Sequence, residues 1–288
     1  MDISIRESIR WFPDEASEPT STIVLTTPAR RFVDLRILKE TEARGADTGD
    51  AGVVSDPNLP LTRLDWAIAG TSSVDPPHTT DNSTNPTQHG RWAHWIDSRL
   101  AECDGVVDEG DMVTDPTNPA LTIETGRMVN PATGLVTEYE EIWRSEGILD
   151  VPAAGGGGAF ELGGELRGEL GGVSDLGSVL GSAPATNTGN TNPNGQQVTC
   201  IALLMDSSPH HPNGPIKRGL VVRLGQYCQA FARDGDALAV ERVVWNPETQ
   251  RWVTTVRMGD PGLEMPTEVA TYLAHATAVG DEDCTKGL

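Results

Sequence analysis

The sequence predicts a mostly β protein, organised as two related β domains joined by a Gly-rich segment, with one short helix near the C-terminus. Short runs rich in β-branched and aromatic residues occur on both sides of residues 153–197, and each is bounded by Gly, Pro, Asn or Asp, as strands are. Residues 153–197 are dominated by Gly, Ser, Asn and Pro, which bury too little apolar area to offset the entropy of ordering the chain. We therefore divide the chain into a first β-barrel domain, 1–152, a flexible linker or loop, 153–197, and a second β-barrel domain, 198–288.

The strand predictions rest on alternating or continuous apolar runs. In RFVDLRILK (31–39), three aliphatic residues alternate with Phe32, Asp34 and Arg36, the pattern of a half-buried strand. A helix is predicted over 267–276, TEVATYLAHA, because Pro266 precedes it and Thr267 suits the N-cap. The other predicted strands are STIVLTT, LDWAIAG, RWAHWID, RGLVVRLGQYCQAFA and RWVTTVRM.

Two segments suggest that the β domains are related. RMVNPATGLVTEYEEIW (127–143) and RVVWNPETQRWVTTVRM (242–258) each place an N-P-x-T turn between strand-like runs. Pro fixes φ and the Asn side chain accepts backbone hydrogen bonds, so both segments favour a hairpin. One hairpin of this design on each side of the linker favours duplication, with chance similarity as the alternative.

The charge of the chain excludes several classes of partner. Its 288 residues include 21 Lys and Arg against 42 Asp and Glu, a formal net charge of −21 that repels nucleic-acid phosphates and anionic lipid. The start, MDISIRESIRWFPDE, lacks the features of a signal peptide, and no apolar run reaches the roughly 18 residues of a membrane helix. We therefore expect a soluble protein of the cytoplasm, with the nucleus as a second compartment, that binds neither nucleic acid nor membrane.

No cofactor or metal is expected. Cys103, Cys200, Cys228 and Cys284 lie far apart without a CxxC pair, so reduced, unpaired thiols are predicted. The adjacent pair His210–His211 lies in a turn-rich stretch and indicates an exposed loop more than a ligand set. The sequence also contains no phosphate-binding loop and no nucleophile motif that would specify an enzyme class.

HGRWAHWID (89–97) is the most chemical-looking stretch of the chain. In a regular strand, Trp92 and His94 face one way while Trp95 and Asp97 face the other. The strand period therefore separates His94 from Asp97 unless a bulge intervenes, and no third ligand at metal-binding spacing is present. We interpret this stretch as a barrel-wall strand with Trp92 or Trp95 toward the interior.

Several segments, taken in order, resemble the fungal Hri family, which is named for an interaction with a casein-kinase-I enzyme. The resemblance implies two calycin-like or lipocalin-like antiparallel β-barrels in tandem and a casein-kinase-I-type partner. None of the segments is a catalytic signature. The segments are LDWAIAGTSS (64–73), HWIDSR (94–99), ETGRMVNPATGLVTEYEEIWR (124–144), RGLVVRLGQYCQAFARDGD (218–236) and ERVVWNPETQRWVTTVRMGD (241–260).

Three functions are open at this point, led by a non-enzymatic intracellular binding or adaptor protein of the kind that the resemblance implies. Casein-kinase-I enzymes favour an acidic residue three positions before the phosphorylated residue. Asp14 before Ser17 and Asp175 before Ser178 fit that spacing, so both serines are candidate phosphosites.

The other two functions use a barrel cavity. The first is binding of a hydrophobic small molecule, because small closed barrels can hold one ligand; the alternative is that the tryptophans fill a solid core. The second is a cyclase or isomerase of fungal secondary metabolism, for which His94, Asp97 and Glu141 are the groups to test. The candidate ligand-binding residues are Trp66, Trp92, Trp95 and Trp143.

Overall fold

The computed structural model describes residues 1–40, 56–79, 85–151, 198–206, 217–260, 262–263 and 267–272. The predicted linker 153–197, with Ser178, lies outside the described residues, and so do His210–His211. The predicted helix appears as α1, Thr267–Tyr272, and residues 273–276 of that prediction are likewise outside the described part.

Eight antiparallel strands close into a barrel in which each strand pairs with its neighbour along the chain and β1 pairs with β8. A single-turn 3-10 helix, Leu61–Arg63, precedes the fourth strand. The strands are β1 (Asp2–Trp11), β2 (Thr20–Thr26), β3 (Arg31–Leu38), β4 (Leu64–Val74), β5 (Thr87–Asp97), β6 (Val107–Thr114), β7 (Leu121–Val129) and β8 (Val136–Glu146).

A second antiparallel sheet follows, with its strands in sequence order and β9 and β13 at its two edges. In the described part of the chain this unit is an open sheet, so the prediction of two tandem barrels holds for the first unit only. The reason is that both faces of the sheet are already covered, one by the barrel and the other by α1. Its strands are β9 (Cys200–Asp206), β10 (Lys217–Leu224), β11 (Tyr227–Asp234), β12 (Ala237–Asn246) and β13 (Arg251–Gly259). The run RGLVVRLGQYCQAFA, predicted as one strand, is instead a hairpin, because a turn at Gly225 and Gln226 separates β10 from β11.

The main hydrophobic core lies between the barrel wall and the second sheet. The aliphatic residues of β3, Val33, Leu35 and Ile37, point out of the barrel and pack against Leu220 and Phe231 of the sheet. The alternate residues of β3 point into the barrel and are buried as well, so this strand is covered on both faces and not half-buried as its pattern predicts. The barrel is thus apolar outside, where the sheet covers it, and largely polar inside.

Two buried polar side chains of the sheet fix it to the barrel wall. Gln229 donates from Nε2 to the carbonyls of Ile23 and Val33, at 3.0 Å each. Arg242 donates to Gln229 Oε1 at 2.8 Å and to the Leu35 carbonyl at 2.9 Å. Because buried donors must be paired, these bonds favour one position of the second sheet on the barrel wall.

Both predicted N-P-x-T hairpins are confirmed. Asn130, between β7 and β8, accepts the N–H of Ala132 on its side chain at 2.8 Å. Asn246, between β12 and β13, accepts the N–H groups of Glu248 and Thr249 at 2.9 Å each. The same Asx-type turn therefore closes a hairpin in each unit.

Candidate functional site

The barrel encloses a cavity of about 170 Å³. Antiparallel order places the start of β1 and β7 and the end of β2 and β8 at the same end of the barrel. The cavity residues Asp2, Thr26, Thr122 and Ser145 lie there and form one end of the cavity lining. Further into the barrel the lining combines aromatic rings with charged groups: Phe32, Asp34, Arg36, Trp92, Asp108, Glu124, Tyr139, Glu141 and Trp143.

The inner part of the cavity rests on a buried network of ion pairs. Glu141 accepts from Arg6 and from Arg36, the latter at 3.2 Å. Arg36 also donates to Asp34 at 3.0 Å, and Arg6 pairs with Glu18 at 2.8 Å. Buried charges persist only when they are paired, so the network holds these side chains in one arrangement.

The environment shifts the titration of several groups in this network. Burial opposes the charged form of Arg36, but Asp34 and Glu141 outweigh it and hold the pKa of Arg36 above its usual range. Burial raises the pKa of Asp34, and Arg36 and Arg6 offset only part of that effect. Arg36 is therefore a permanent cation of the inner cavity.

Glu124 and Glu141 are direct partners across the β7–β8 ladder, and both line the cavity. Burial and then the neighbouring Glu141 carboxylate raise the pKa of Glu124 to about 8. Glu124 also accepts a hydrogen bond from the Tyr139 hydroxyl at 2.9 Å. The cavity thus contains a neutral carboxylic acid beside a carboxylate at pH 7.

Two glycines make room for the side chains of Tyr139 and Glu124. Tyr139 lies opposite Gly126, and a Cβ on Gly126 would approach its ring to 2.7 Å. A Cβ on Gly110 would lie 2.9 Å from a Glu124 oxygen. These two glycines allow Tyr139 and Glu124 to lie against the wall of the barrel.

Two buried polar atoms of the cavity lack a hydrogen-bond partner within the described protein. They are Oδ1 of Asp34 and Nε1 of Trp143. The Trp143 indole opposes part of the rise in the pKa of Glu124, without reaching ordinary hydrogen-bond geometry. Native interiors pair nearly all such atoms, so the unpaired acceptor of Asp34 is an unusual feature of this lining.

His94 and Asp97 come together, and the expectation that they lie on opposite faces is wrong. His94 Nδ1 lies 2.9 Å from Asp97 Oδ2, because a bulge at Trp95 adds one residue to β5 between them. Gly70 permits the bulge, since a Cβ there would approach the Ala93 carbonyl oxygen to 2.0 Å. The bulge returns His94 and Asp97 to the same side of the strand.

The His94–Asp97 pair is buried, and both ring nitrogens and both carboxylate oxygens have hydrogen-bond partners. His94 also bonds Asp108 through Nε2 at 3.1 Å, while Asp97 accepts from the Trp66 indole at 3.0 Å and from the Arg99 N–H at 2.7 Å. Burial opposes protonation of His94, but the bonds to Asp108 and Asp97 outweigh it and raise its pKa to about 9. Burial acts against the ionised form of Asp97 too, yet its bonds from His94 and Arg99 lower its pKa. His94 is thus an imidazolium held between two carboxylates, outside the cavity lining.

The four candidate tryptophans have different surroundings. Trp92 and Trp143 line the cavity, and their role in binding stays a prediction. Trp66 packs with interior residues of the barrel but does not line the cavity, and the guanidinium groups of Arg36 and Arg99 lie over its ring at 5.1 and 4.3 Å. Trp95, the bulge residue, packs outside the barrel against the shared core, so the interior position expected for Trp92 or Trp95 belongs to Trp92.

The remaining predicted site residues also differ in whether they line the cavity. Glu141 lines the cavity, whereas His94 and Asp97 lie behind its wall, so the three groups of the cyclase hypothesis do not share one cavity. Ser17 is exposed, and its backbone pairs with Ile9 in a β-bridge, at 2.9 Å from its N–H to the Ile9 carbonyl.

Sequence reasoning did not single out Arg6, Asp34, Arg36 or Glu124. The signal for two of them was present: Asp34 and Arg36 share a strand face with Phe32 in an otherwise apolar run. A charged residue in such a run must find a buried partner, and the partner of Arg36 is Glu141, 105 residues away.

The described residues contain neither a cluster of metal-ligating side chains nor a helix that could span a membrane. Among them, no group of three or more His, Cys, Asp or Glu side chains is arranged to hold a metal ion. Of the helices that the structure describes, none has the length and apolar character needed to cross a membrane.

The fold and the cavity define a class: an eight-strand antiparallel barrel with a charged lumen, backed on its apolar outer wall by a five-strand sheet. The chain belongs to the family described as Protein HRI1, whose family model matches residues 2–287. It is also similar to the crystal structure of the uncharacterized protein YLR301w from Saccharomyces cerevisiae. That match has 13% sequence identity and a TM-score of 0.48, and it covers 90% of this chain and 86% of the other. A comparison with curated proteins found no match.

Proposed function

We propose that this protein is a non-enzymatic binding protein that holds one small polar molecule in the lumen of its barrel. The observation that carries the proposal is the buried, unpartnered Oδ1 of Asp34 in the cavity lining; the other oxygen of this carboxyl accepts from Arg36. Small closed barrels are a common architecture for such sites.

The size of the cavity limits the ligand to about one ring. Drug-sized ligands occupy roughly 300–1,000 Å³, whereas a cavity of about 150 Å³ admits benzene. The volume of about 170 Å³ therefore suits a six-membered ring with one short substituent. The charged groups of the lining change the expected ligand from a hydrophobic molecule to a polar one.

A lumen-filling variant tests the proposal. Ser4 lines the cavity, and Ser4→Phe would place a ring inside it. Ser73 is exposed on β4 outside the lining, so Ser73→Phe is the matched control. We expect ligand-observed NMR with a set of neutral, cationic and anionic one-ring compounds to show binding to the unmodified protein and to Ser73→Phe, and none to Ser4→Phe. Equal signals from all three proteins, or none from any, would contradict a lumen site.

A protein partner is a second proposal, implied by the family resemblance: a casein-kinase-I-type kinase that binds this protein and phosphorylates it. The supporting observation is that Ser17 and Asp14, at the preferred spacing, are both exposed. The β-bridge of Ser17 to Ile9 would have to open before the serine entered a kinase site.

A kinase assay separates the two candidate serines. We expect phosphopeptide mapping after incubation with a casein-kinase-I enzyme to lose one signal in Ser17→Ala and another in Ser178→Ala. Ser8→Ala, on β1, is the control. Unchanged labelling in both variants would end the proposal that these serines are substrates.

A further inference from the structure

We propose that the molecule held in the lumen is a small organic cation, a primary ammonium or amidinium group on a single ring, and that Glu124 releases its proton to solvent when this cation binds. The inference rests on the proposed lumen site and names its ligand class.

The charges around the cavity favour a cation. Six carboxylates line the cavity or belong to the ion pairs that extend from its lining, against three cationic side chains. Like charges in a buried site repel, so an anionic ligand would enter against the net field, while a cation would reduce it. The carboxylates are Asp2, Glu18, Asp34, Asp97, Asp108 and Glu141, and the cations are Arg6, Arg36 and His94.

The aromatic part of the lining suits the same ligand. Phe32, Trp92, Trp143 and Tyr139 line the cavity alongside the carboxylates. Aromatic faces attract organic cations and also pack against a ring. Oδ1 of Asp34 is an unpartnered acceptor, and an ammonium or amidinium N–H is the donor that fits it.

Glu124 links binding to proton release. It faces Glu141, Tyr139 and Trp143 on β8, Arg36 on β3, and the β6 wall, where Asp108 lies. Asp108 is bonded to His94 of β5, and Arg6 of β1 lies behind Glu141. A cation placed beside this carboxyl pair favours two carboxylates over one, and the ionised Glu124 would then accept the N–H of Trp143. The proton leaves to solvent and the charge of the ligand compensates for it.

Three compounds of one shape test the inference: benzylamine, benzyl alcohol and benzoate. By titration calorimetry at pH 7, we expect benzylamine to bind about tenfold or more tightly than benzyl alcohol, with benzoate weakest. In buffers of different ionisation enthalpy, the benzylamine titration is expected to release close to one proton. Benzylamine affinity is expected to rise between pH 6 and 8, because the cost of ionising Glu124 falls.

Two variants test the roles of Glu124 and Asp34 separately. Glu124→Gln is expected to abolish proton release and flatten the pH dependence of benzylamine affinity. Asp34→Asn is expected to lower benzylamine affinity about tenfold and benzyl alcohol affinity by less, because only benzylamine loses a charge-assisted bond. Benzyl alcohol or benzoate binding as tightly as benzylamine would overturn the cation inference and leave the lumen site standing. Tight benzylamine binding without proton release would overturn the role of Glu124. Binding of none of the three, in Ser4→Phe and the unmodified protein alike, would count against the lumen site itself.

Discussion

The imidazole of His94 bonds the Asp97 carboxylate at 2.9 Å, although only Trp95 and Ile96 separate them on one strand. The bulge at Trp95 makes this contact, and Asp108 from β6 completes it on the other side of the ring. A buried imidazolium between two carboxylates is a cross-link between adjacent strands more than an acid or base for substrate, because its side chain is 1% exposed.

His94 is expected to make stability depend on pH. Its pKa rises from 6.5 to about 9 on folding, so its contribution is fully present below pH 6.5 and is lost as pH rises through 9. That difference corresponds to on the order of 3 kcal/mol. In urea unfolding, we expect the stability difference between the unmodified protein and His94→Phe to shrink from pH 6 to pH 9.5.

The control is His89→Phe, on the same strand but half-buried. His89→Phe is expected to lose stability between pH 6.5 and 9, as the unmodified protein does. A His94→Phe variant with the same pH profile as the unmodified protein would show that His94 is not charged in the folded state.

Gly70 is expected to be required for the bulge. In Gly70→Ala the new methyl group would meet the Ala93 carbonyl oxygen at 2.0 Å, a backbone atom that can move only if the β4–β5 ladder moves. We expect a loss in the free energy of unfolding on the order of 3 kcal/mol. Gly147→Ala is the control, because a Cβ there meets nothing within 4 Å. Equal stability of the two variants by thermal unfolding would count against the bulge.

Gln229 is expected to hold the second sheet on the barrel. Gln229→Leu removes two bonds to the barrel carbonyls of Ile23 and Val33 and leaves a buried donor of Arg242 without its acceptor. We expect a loss of about 3 kcal/mol in the free energy of unfolding, because a buried charged donor is costly to leave unpaired. The same change at the half-buried Gln88 on β5 is the control. If Gln229→Leu is as stable as Gln88→Leu in urea unfolding, Gln229 does not hold the second sheet on the barrel.

Several strands, such as β2, β3 and β13, could be predicted from the sequence because each shows its pattern in its own residues, whereas β1, β6 and β9 were not predicted. RFVDLRILK shows its period of two locally, and the Asn side chains that close both hairpins lie within the turns they form. The bulge could not be predicted, because the extra residue is fixed by a close approach of Gly70 to Ala93, on a different strand.

The site was visible only in part for a similar reason. Glu141 was a candidate, but its place in the buried ion-pair network depends on Arg6 and Arg36, which are 135 and 105 residues away in the sequence. The open second sheet is likewise a consequence of packing: Gln229 and Arg242 bond to barrel carbonyls that no local pattern connects with them.

Glu124 is expected to destabilise the fold at alkaline pH. Its pKa rises from 4.5 to about 8 on folding, so the folded state retains a proton that the unfolded state has lost between these values, and stability falls as pH rises across that range. Gln has the same shape and no charge, so Glu124→Gln removes this fall. We expect Glu124→Gln to be more stable than the unmodified protein by about 1 kcal/mol or more at pH 8.5, with a smaller gain at pH 5. Urea unfolding at the two pH values measures the difference, with Glu138→Gln, exposed on the same hairpin, as the control. If Glu124→Gln is less stable at pH 8.5, Glu124 is ionised in the folded protein and Arg36 is its partner.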